Sequence, residues 1–438
     1  MKRQYSLCLA VGLMLAIGSA VRAENWPQWR GPAFNGSSTE TNLPEKLDES
    51  AQLWSIELSG RGASTPIVWG DRIFLTAQAK DRNLLALCFD AKNGKELWRK
   101  EMGVATPSRK EGNADWAGPS AICDGKSVFF YFSTGDLGAF DLEGKPLWSL
   151  NMQKEHGPFN FQWIYGSSPL LYRGKLYVQV LHRDVPGSEW RAPKPGESLA
   201  DSYVVAKNPE TGKDIWKVVR KDDDARVESK EAYSTPMPYQ AKEPAQIIIV
   251  GGDCVTGHDF DTGKEIWRAG GWNPNKIDSY RMVPSVVVAD DLVIACAPKG
   301  QPIMAIRPGE GDVTKTNFVW KSKDMTSDVA IPAFYQGNLY VLEGERKFLD
   351  CVDPKTGEKK WSTKLDSRPV FRASPTAADG KIYCINENGE VWVCSATESR
   401  ILWKGAMANR DKAHASIAVA DGKVYVRTGE KLYAFGKK

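Results

Sequence analysis

The segment Asn208-Pro209-Glu210-Thr211-Gly212-Lys213-Asp214-Ile215-Trp216 decides the fold, because copies of it recur along the chain. Close copies end at Trp98, Trp148, Trp267 and Trp361, weaker copies end at Trp320 and Trp403, and Trp54 stands without the preceding motif. Successive tryptophans lie 41 to 68 residues apart. A repeat of about 40–50 residues that contains several short strands is typical of a β-propeller.

Each copy joins a tight turn to an outer strand. The Asp or Asn that opens the motif can accept hydrogen bonds from the backbone two residues further on, and the Gly supplies a positive φ. The tryptophan begins the outermost strand, where its large ring can be buried between neighbouring sheets. We therefore predict a docking role for these residues: Trp54, Trp98, Trp148, Trp216, Trp267, Trp320, Trp361 and Trp403.

The sequence between the tryptophans contains three further apolar runs of strand length. Before Trp403 they are residues 374–378, 380–385 and 390–394, joined by Asp-Gly and Asn-Gly pairs that favour hairpins. After Trp403 only three more strands follow, and Gln52–Glu57 can supply the fourth. The sequence thus predicts an all-β, eight-bladed β-propeller with four-stranded antiparallel blades, the last closed by the N-terminal strand so that no sheet edge is left free there.

The cysteines do not form a disulfide framework by their spacing. Seven remain after residue 23, and none belongs to a Cys-x-x-Cys pair. If Asn388-Gly389 is a two-residue hairpin turn, Cys384 faces Val393 and Cys394 points to the opposite face of the sheet. This register predicts buried free thiols rather than a Cys384–Cys394 disulfide.

The composition and the N-terminus indicate an exported globular protein. The 438 residues are ordinary in composition except for 16 tryptophans, which argues against a disordered or collagen-like chain. Residues 1–23 combine a basic start, an apolar run and a small-residue exit, and they predict a signal peptide cleaved after Ala23, hence a periplasmic or secreted protein. We assign residues 24–44 to an N-terminal strap and residues 45–438 to the propeller.

The charge and the hydropathy pattern exclude two classes of partner. The formal charge of +4 falls to +1 when residues 1–23 are removed, because Lys2, Arg3 and Arg22 leave with them. The mature chain therefore lacks the basic footprint of a nucleic-acid-binding protein. No later stretch is apolar enough for a membrane span.

A second recurring pattern locates a candidate site. Small residues such as Thr65-Pro66 and Ser168-Pro169 mark the start of each innermost strand, where strands crowd around the central channel. We predict that the side chains just before them line one mouth of the channel. The candidates are Arg61, Ser64, Asp115, Trp116, Trp163, Tyr165, Ser167, Tyr233, Ser234, Tyr280, Arg281, Asp328, Arg372 and His414. Arginine can pair with carboxylates and aromatic rings can stack, so the set can hold a planar acidic ligand; the alternative is an ordinary polar, hydrated mouth.

The tandem Asp-x-x-Thr-Gly-Lys-x-x-Trp motif resembles the pyrroloquinoline quinone (PQQ) repeat of quinoprotein dehydrogenases. It is similar also to the repeat of BamB, a non-catalytic outer-membrane protein assembly factor. The resemblance extends over nearly all of residues 45–438 and implies the propeller fold, while residues 25–37 resemble a lead-in segment of exported members. It does not decide the function, since enzymes and non-enzymes share the motif.

The likeness to quinoprotein dehydrogenases implies a specific set of groups. These enzymes hold PQQ with Ca²⁺ through carboxylate and amide oxygens, use a nearby Asp as base, and often place a disulfide between adjacent cysteines over the cofactor. Here no two cysteines are adjacent, and nothing in their spacing marks Asp115 or Asp328 as base or ligand. The four histidines stand singly, which argues against zinc, and residues 222–224 lack the pattern of a calcium loop.

The widest repeat contains an insertion at residues 182–196, between the second and third strands of its blade. With Trp190 and several basic residues, this segment is predicted to project on the face of the mouth as a lid or a partner contact, or as a merely tolerated loop.

The sequence favours a non-catalytic scaffold that binds a protein, peptide or saccharide on one face of the ring, with no cofactor predicted. The alternative is a PQQ- and calcium-dependent dehydrogenase for an alcohol or sugar.

Overall fold

The strands of the computed structural model form eight sheets, which confirms the predicted all-β propeller of four-stranded antiparallel blades. The structure describes residues 24–108, 110, 115–185, 200–222, 225–241, 243–407 and 411–438. The predicted signal peptide and residues 186–196 of the insertion lie outside these ranges. Among the described residues, no helix has the length and apolar character to cross a membrane.

The first four blades follow the chain from the innermost to the outermost strand. Strand β1 (Gln52–Glu57) precedes them and belongs to the last blade. Blade 1 contains β2 (Ile67–Trp69), β3 (Arg72–Gln78), β4 (Asn83–Asp90) and β5 (Glu96–Val104); blade 2 contains β6 (Ile122–Cys123), β7 (Ser127–Tyr131), β8 (Asp136–Asp141) and β9 (Pro146–Asn151). After the short helix α1 (Met152–His156), blade 3 contains β10 (Leu170–Tyr172), β11 (Lys175–Val180), β12 (Tyr203–Lys207) and β13 (Asp214–Val219). A 3₁₀ turn (Val227–Lys230) leads to blade 4, with β14 (Met237–Tyr239), β15 (Gln246–Gly251), β16 (Cys254–Asp259) and β17 (Glu265–Ala269).

The remaining blades repeat this order. Blade 5 contains β18 (Val287–Ala289), β19 (Leu292–Cys296), β20 (Ile303–Ile306) and β22 (Phe318–Lys321), while β21 (Gly311–Asp312) pairs instead with blade 4. Blade 6 contains β23 (Ala333–Tyr335), β24 (Asn338–Glu343), β25 (Phe348–Val352) and β26 (Lys359–Lys364); blade 7 contains β27 (Thr376–Ala378), β28 (Lys381–Ile385), β29 (Glu390–Ser395) and β30 (Ile401–Ala406). Blade 8 contains β31 (Ala418–Ala420), β32 (Lys423–Arg427) and β33 (Lys431–Phe435).

The ring closes as the sequence predicts. Strand β1 adds to β33 as the outermost strand of blade 8, with Glu57 opposite Lys431 in the register. These two side chains also form an ion pair of 2.7 Å. The first and last strands of the described propeller are therefore hydrogen-bonded to each other, which removes the two edges that an open ring would expose.

The innermost strands are joined by an inner hydroxyl belt, which we define as the residue two positions before each innermost strand. This residue is a Ser or Thr in seven blades and Ile331 in blade 6. The backbone N–H groups of Thr65, Ser120, Ser168 and Thr235 donate to the hydroxyls of Ser120, Ser168, Thr235 and Ser285 in the next blade, at 2.6–3.0 Å. The same bonds run from Ile331 to Ser374 and from Ser374 to Ser416. These crowded positions need small side chains that can also accept a hydrogen bond, which explains the Ser and Thr pattern in the sequence.

On the outside, five motif tryptophans reach the motif turn of the next blade. The indole N–H groups of Trp54, Trp98, Trp148, Trp216 and Trp320 donate to the carbonyls of Ala91, Leu142, Pro209, Phe260 and Pro354, at 2.8–3.3 Å. In each case the ring lies against the turn glycine, so closely that a Cβ on Gly144 would be 2.7 Å from Trp98. The opening Asp or Asn holds the turn, as Asp90 does by accepting from Lys92 N–H at 2.7 Å. We call this arrangement the outer tryptophan belt.

Trp267 departs from this arrangement. Its ring is fully buried in its own blade, and its indole N–H donates to Gln246 Oε1 at 2.7 Å. The facing turn of blade 5 lacks the Thr-Gly-Lys of the motif, and from this turn β21 pairs in parallel with the outer strand β17. Trp361 and Trp403 pack at the margins of the apolar cores of their blades.

The predicted register around Asn388-Gly389 is wrong by one residue. Tyr383, not Cys384, faces Val393, while Cys384 faces Trp392. The turn is longer than two residues because Asn386 N–H donates to Glu390 and Gly389 N–H donates to Asn386. Cys384 and Cys394 therefore share one face and one apolar cluster, and all seven described cysteines are buried and free.

The N-terminal segment 24–44 binds the ends of the innermost strands that lie farthest from the predicted mouth. Trp26 pairs with Val68, Pro27 accepts from Cys123 N–H, and Ser38 N–H donates to Ala377. Trp26 is buried in the core that joins blades 7, 8, 1 and 2. The segment thus crosses the channel and contacts blades on opposite sides of the ring.

Candidate functional site

A cavity of about 430 Å³ occupies the mouth of the channel above the inner hydroxyl belt. Its wall contains the residue two positions before the belt in every blade: Ala63, Gly118, Gly166, Tyr233, Val283, Val329, Arg372 and His414. Longer side chains from other positions, Asp115, Trp163, Ile164 and Arg281, complete the rim. We call this space the mouth cavity.

The N-terminal segment supplies the deep end of the mouth cavity. Trp29 lines the cavity and packs on the cores of blades 4 to 6. Next to it, Arg30 is 2% exposed and donates to the carbonyls of Pro332 and Pro375, at 2.7 and 3.3 Å, one residue below the hydroxyl belt. Burial lowers the pKa of Arg30 to about 9, so the guanidinium remains a cation at neutral pH beneath the cavity.

One wall of the mouth cavity is a chain of ion pairs. His414 lies between Asp115 and Glu387, at 3.9 and 3.5 Å, and Arg372 pairs with the same Glu387 carboxylate. Burial alone would lower the pKa of His414, but the two carboxylates outweigh burial and raise it to about 8. Contacts from His414 and Arg372 lower the pKa of Glu387 to about 2. At neutral pH this wall therefore presents a charged histidine and a charged arginine.

The opposite wall combines aromatic rings with a second arginine. Arg281 lies 5.3 Å from the ring centre of Trp163 and pairs with Glu228 at 2.9 Å. The same Glu228 oxygen accepts the indole N–H of Trp163 at 3.0 Å, so one carboxylate orients both side chains. Tyr233 adds a third contact, because its hydroxyl accepts the backbone N–H of Trp163 at 3.2 Å. The ring and the guanidinium are thus held in position before a ligand arrives.

A buried acid supports this aromatic wall from behind. Glu231 is fully buried, accepts from the Tyr233 hydroxyl at 2.5 Å and from Gln162 N–H, and pairs with Arg183. Burial raises the pKa of Glu231 to about 7. Arg183 stands at the start of the insertion 182–196, which does follow the second strand of blade 3 and begins on the face of the mouth.

The structure brings together only part of the predicted set. Asp115, Trp163, Tyr233, Arg281, Arg372 and His414 line the mouth cavity, and Arg61 lies just outside it in a neighbouring cavity. Trp116, Tyr165 and Tyr280 are instead buried, with exposures of 1%, 0% and 4%, and none of them lines the cavity. Ser64, Ser167 and Ser234 are also buried, and Asp328 accepts from Lys299 N–H away from the cavity.

Sequence reasoning missed three contributors to the site. Trp29 belongs to the predicted N-terminal strap and is not among the predicted site residues, although it lines the cavity. Glu228 and Glu387 were not considered, although they hold Arg281, Trp163, Arg372 and His414. The signal that identifies the wall is the alternation of inward and outward side chains, which selects the residue two positions before each hydroxyl.

The described carboxylates and histidines suit a metal poorly at the mouth. Asp115 is the single carboxylate among the described lining residues, and it is already paired with His414. The described group with metal-compatible geometry, Glu155, His156 and Asp214, lies elsewhere. Lys207 already binds both of its carboxylates at 2.6 Å, so an ammonium occupies the position of a cation there.

Comparison with known proteins identifies relatives of two kinds. A family model described as outer membrane protein assembly factor BamB matches residues 46–164 and 255–438, more than half of the chain. Methanol dehydrogenase [cytochrome c] subunit 1 of Methylobacterium organophilum is 32% identical over 178 residues, which are 37% of this chain and 26% of that protein. The corresponding subunit of Paracoccus denitrificans is 25% identical over 40% of this chain and 28% of that protein. The matches thus span about a quarter of these curated relatives.

Solved structures of both kinds share the fold. Quinohemoprotein alcohol dehydrogenase from Comamonas testosteroni superimposes with a TM-score of 0.68 at 13% identity, covering 94% of this chain and 81% of that one. BamB from Moraxella catarrhalis gives a TM-score of 0.59 at 14% identity, covering 88% and 97%. At this identity the likeness establishes the propeller and leaves its chemistry open.

Proposed function

This chain belongs to the family described as outer membrane protein assembly factor BamB, and we propose that it is a non-catalytic, exported binding protein. Its mouth cavity would receive a carboxylate group of a protein, peptide or saccharide. The observation that carries the proposal is that cationic side chains outnumber carboxylates among the described residues that line this cavity. Arg281, Arg372 and His414 line it, whereas Asp115 is the single lining carboxylate among the described residues.

The geometry favours recognition of a flat acidic group. Guanidinium groups bind carboxylates through paired hydrogen bonds, and Arg281 and Arg372 stand on different walls of one cavity. Trp29 and Trp163 provide apolar ring surface in the same space. Buried Arg30 adds a fixed positive charge below. A ligand that joins a carboxylate to an apolar body would use all of these features.

The ion pairs in the wall fit a binding role. His414 is held between two carboxylates and Arg281 by Glu228, so both cations are oriented without a ligand. Each acid also lowers the affinity of its cationic partner for a ligand, because a ligand carboxylate must compete with the acid for that cation. We therefore expect reversible binding of moderate affinity, as a scaffold that exchanges partners requires.

Titration of the mature protein with benzoate and with benzamide tests the proposal. The two probes share shape and differ in charge, so we expect benzoate to bind about tenfold more tightly, a difference of about 1.4 kcal/mol. The variants Arg281→Ala and Arg372→Ala should remove this preference, and the control Arg400→Ala, an exposed arginine outside the cavity, should retain it. Equal binding of both probes by the native protein would refute a carboxylate site.

A PQQ-dependent dehydrogenase is the second candidate, favoured by the tryptophans and arginines around one cavity and by the methanol dehydrogenase relatives. PQQ is a flat acid that would supply a two-electron acceptor when bound. The side chains that would hold it are Trp29, Trp163, Arg281 and Arg372. The residues do not fit Ca²⁺, which requires six to eight oxygen ligands, because Asp115 is paired with His414. Titration with PQQ, with and without Ca²⁺, together with dye-linked oxidation of alcohols and sugars, separates the candidates. Calcium-dependent turnover that Asp115→Asn abolishes would establish the enzyme.

A further inference from the structure

Two more cavities continue the mouth cavity outward across the ring. Asp115 and His414 line both the mouth cavity and a neighbouring cavity of about 230 Å³. Arg61 and Glu430 line both this second cavity and a third one of about 800 Å³. Since neighbouring cavities share wall residues, the three spaces adjoin one another in a row. We call the second and third cavities together the radial groove.

The radial groove lies where the ring closes, between blades 8 and 1. Its floor is the segment 57–62, which leaves β1 and crosses towards blade 1. Backbone bonds hold this floor on both sides: Leu58 N–H donates to Glu430 at 2.7 Å, and Arg61 N–H donates to Gln78 at 3.1 Å. The wall on the side of blade 8 is low, because only residues 428–430 join β32 to β33. The groove is therefore formed by backbone that is already fixed.

The radial groove is lined by charges of both signs. Three acids and three bases line the outer part: Glu57, Asp81, Glu430, Arg61, Lys80 and Arg82. The inner part combines Lys412 with Asp411. A chain that carries one sign of charge, such as a polyphosphate or a nucleic acid, would meet repulsion at several of these positions. A polypeptide of mixed sequence can match both signs, so the lining favours a peptide.

The path also gives the peptide a direction. Arg281 and Arg372 stand at the inner end, in the mouth cavity, where a carboxylate is best paired. Asp115 and His414 lie at the boundary between the mouth cavity and the radial groove and line both. Beneath the inner groove, Arg427 is 1% exposed, and its Nη2 would lie 2.5 Å from a Cβ on the lining residue Gly62. In the guanidinium group of Arg427, Nη1 donates to the Ser64 carbonyl at 3.1 Å. The other two nitrogens, Nε and Nη2, have no hydrogen-bond partner among the described residues.

From this row of adjoining cavities we propose that the radial groove binds the last residues of an extended polypeptide, whose C-terminal carboxylate lies in the mouth cavity. The inference rests on the carboxylate-binding function proposed above and adds the class of ligand and its path. It makes Glu430, which lines both parts of the groove, a contact residue for the peptide.

A peptide library measures this directly. The probe is a random library of octapeptides with free C-terminal carboxylates, and the matched probe is the same library with C-terminal amides. The variant Glu430→Trp places a large ring where the two parts of the groove meet, at an exposed position whose substitution should leave folding intact. The control Glu345→Trp makes the same change in the corresponding hairpin of blade 6, at an exposed residue that lines neither the groove nor the cavity.

We expect the native protein and Glu345→Trp to retain free-acid octapeptides about tenfold better than amides. Glu430→Trp should lose about tenfold in octapeptide retention but bind benzoate as the native protein does. Unchanged octapeptide binding by Glu430→Trp would overturn the groove while leaving the carboxylate site standing. Failure of benzoate to bind any of the three proteins would instead refute the function on which the inference rests. Retention of acidic oligosaccharides and not of peptides would overturn the choice of ligand.

Discussion

The outer tryptophan belt and the mouth cavity are built in opposite ways. In the belt, five blades use the same contact, an indole N–H bonded to the carbonyl after the opening Asp or Asn of the next turn. At the mouth, equivalent positions in different blades carry residues as unlike as Gly166, Tyr233, Val283 and Arg372. Repetition therefore provides the fold, and the departures from repetition provide the site.

Blade 4 shows what happens when the belt itself departs from repetition. There Trp267 turns into its own blade, and β21 pairs with the edge of β17. The tryptophan is thus not sufficient for the contact, which needs the turn of the following blade as well. The comparison predicts that belt residues control stability and mouth residues control binding.

The largest effect is expected for Trp98→Ala. The ring contacts Phe74, Phe130 and Phe140 and donates to Leu142, so its removal leaves a void between blades 1 and 2. We expect the free energy of unfolding to fall by about 3 kcal/mol, measured by denaturant unfolding. The adjacent Leu97 is 44% exposed, and Leu97→Ala is the control with little loss. Equal losses for the two variants would break the comparison.

Gly144→Ala tests the turn side of the same contact. Gly144 has a φ of 83°, and a Cβ there would be 2.7 Å from the Trp98 ring. Gly174 has a similar φ of 75° but no atom within 4 Å of its Cβ position. Gly174→Ala should therefore cost only the backbone strain of about 1 kcal/mol, and Gly144→Ala about 2 kcal/mol. Equal melting temperatures of the two variants would contradict a role of the ring contact.

The contrast explains why the fold was predictable from the sequence. The motif turn is local, because Asp90, Gly94 and Trp98 lie within one short segment. Strand β1 was predicted with its observed bounds because the count of strands left blade 8 incomplete. The register near Cys384 was not predicted, since an Asn-Gly pair does not reveal that Asn386 closes a longer turn.

The site was predicted only in part for a geometric reason. Candidates were selected by nearness to the innermost strand, without regard to the alternation of side chains. Tyr165, three residues before the hydroxyl belt, points into a core, whereas Tyr233, two residues before it, lines the cavity. Trp29 could not be placed, because no local pattern reveals that a segment far from the blades in sequence crosses the channel.

At the mouth, pH should alter binding. His414 has a pKa of about 8 in the folded chain and an ordinary value of 6.5. The charged histidine therefore stabilises the fold fully below about pH 6.5, and this stabilisation is lost as the pH rises through about 8. Benzoate affinity should fall about fivefold between pH 7 and pH 9, because the charge of His414 is lost over this range and buried Arg30, with a pKa of about 9, loses part of its charge as well. His414→Gln should remove most of this dependence and leave only the part that arises from Arg30, and titration at both pH values measures it. An unchanged slope in the variant would assign the effect to another group.

The smallest effect is expected for Glu228→Gln. Glu228 holds Arg281 at 2.9 Å and Trp163 at 3.0 Å, so it orients the arginine but also competes with a ligand for it. An amide oxygen can still accept from both groups, but it carries no charge, so benzoate should bind about twofold more tightly. The control Glu310→Gln removes an exposed carboxylate away from the cavity and should leave affinity unchanged. Weaker binding by Glu228→Gln would mean that the orientation of Arg281 by a charged partner matters more than competition. Binding at the mouth would then depend on a residue behind the lining, as the contact of each belt tryptophan depends on the turn of the next blade.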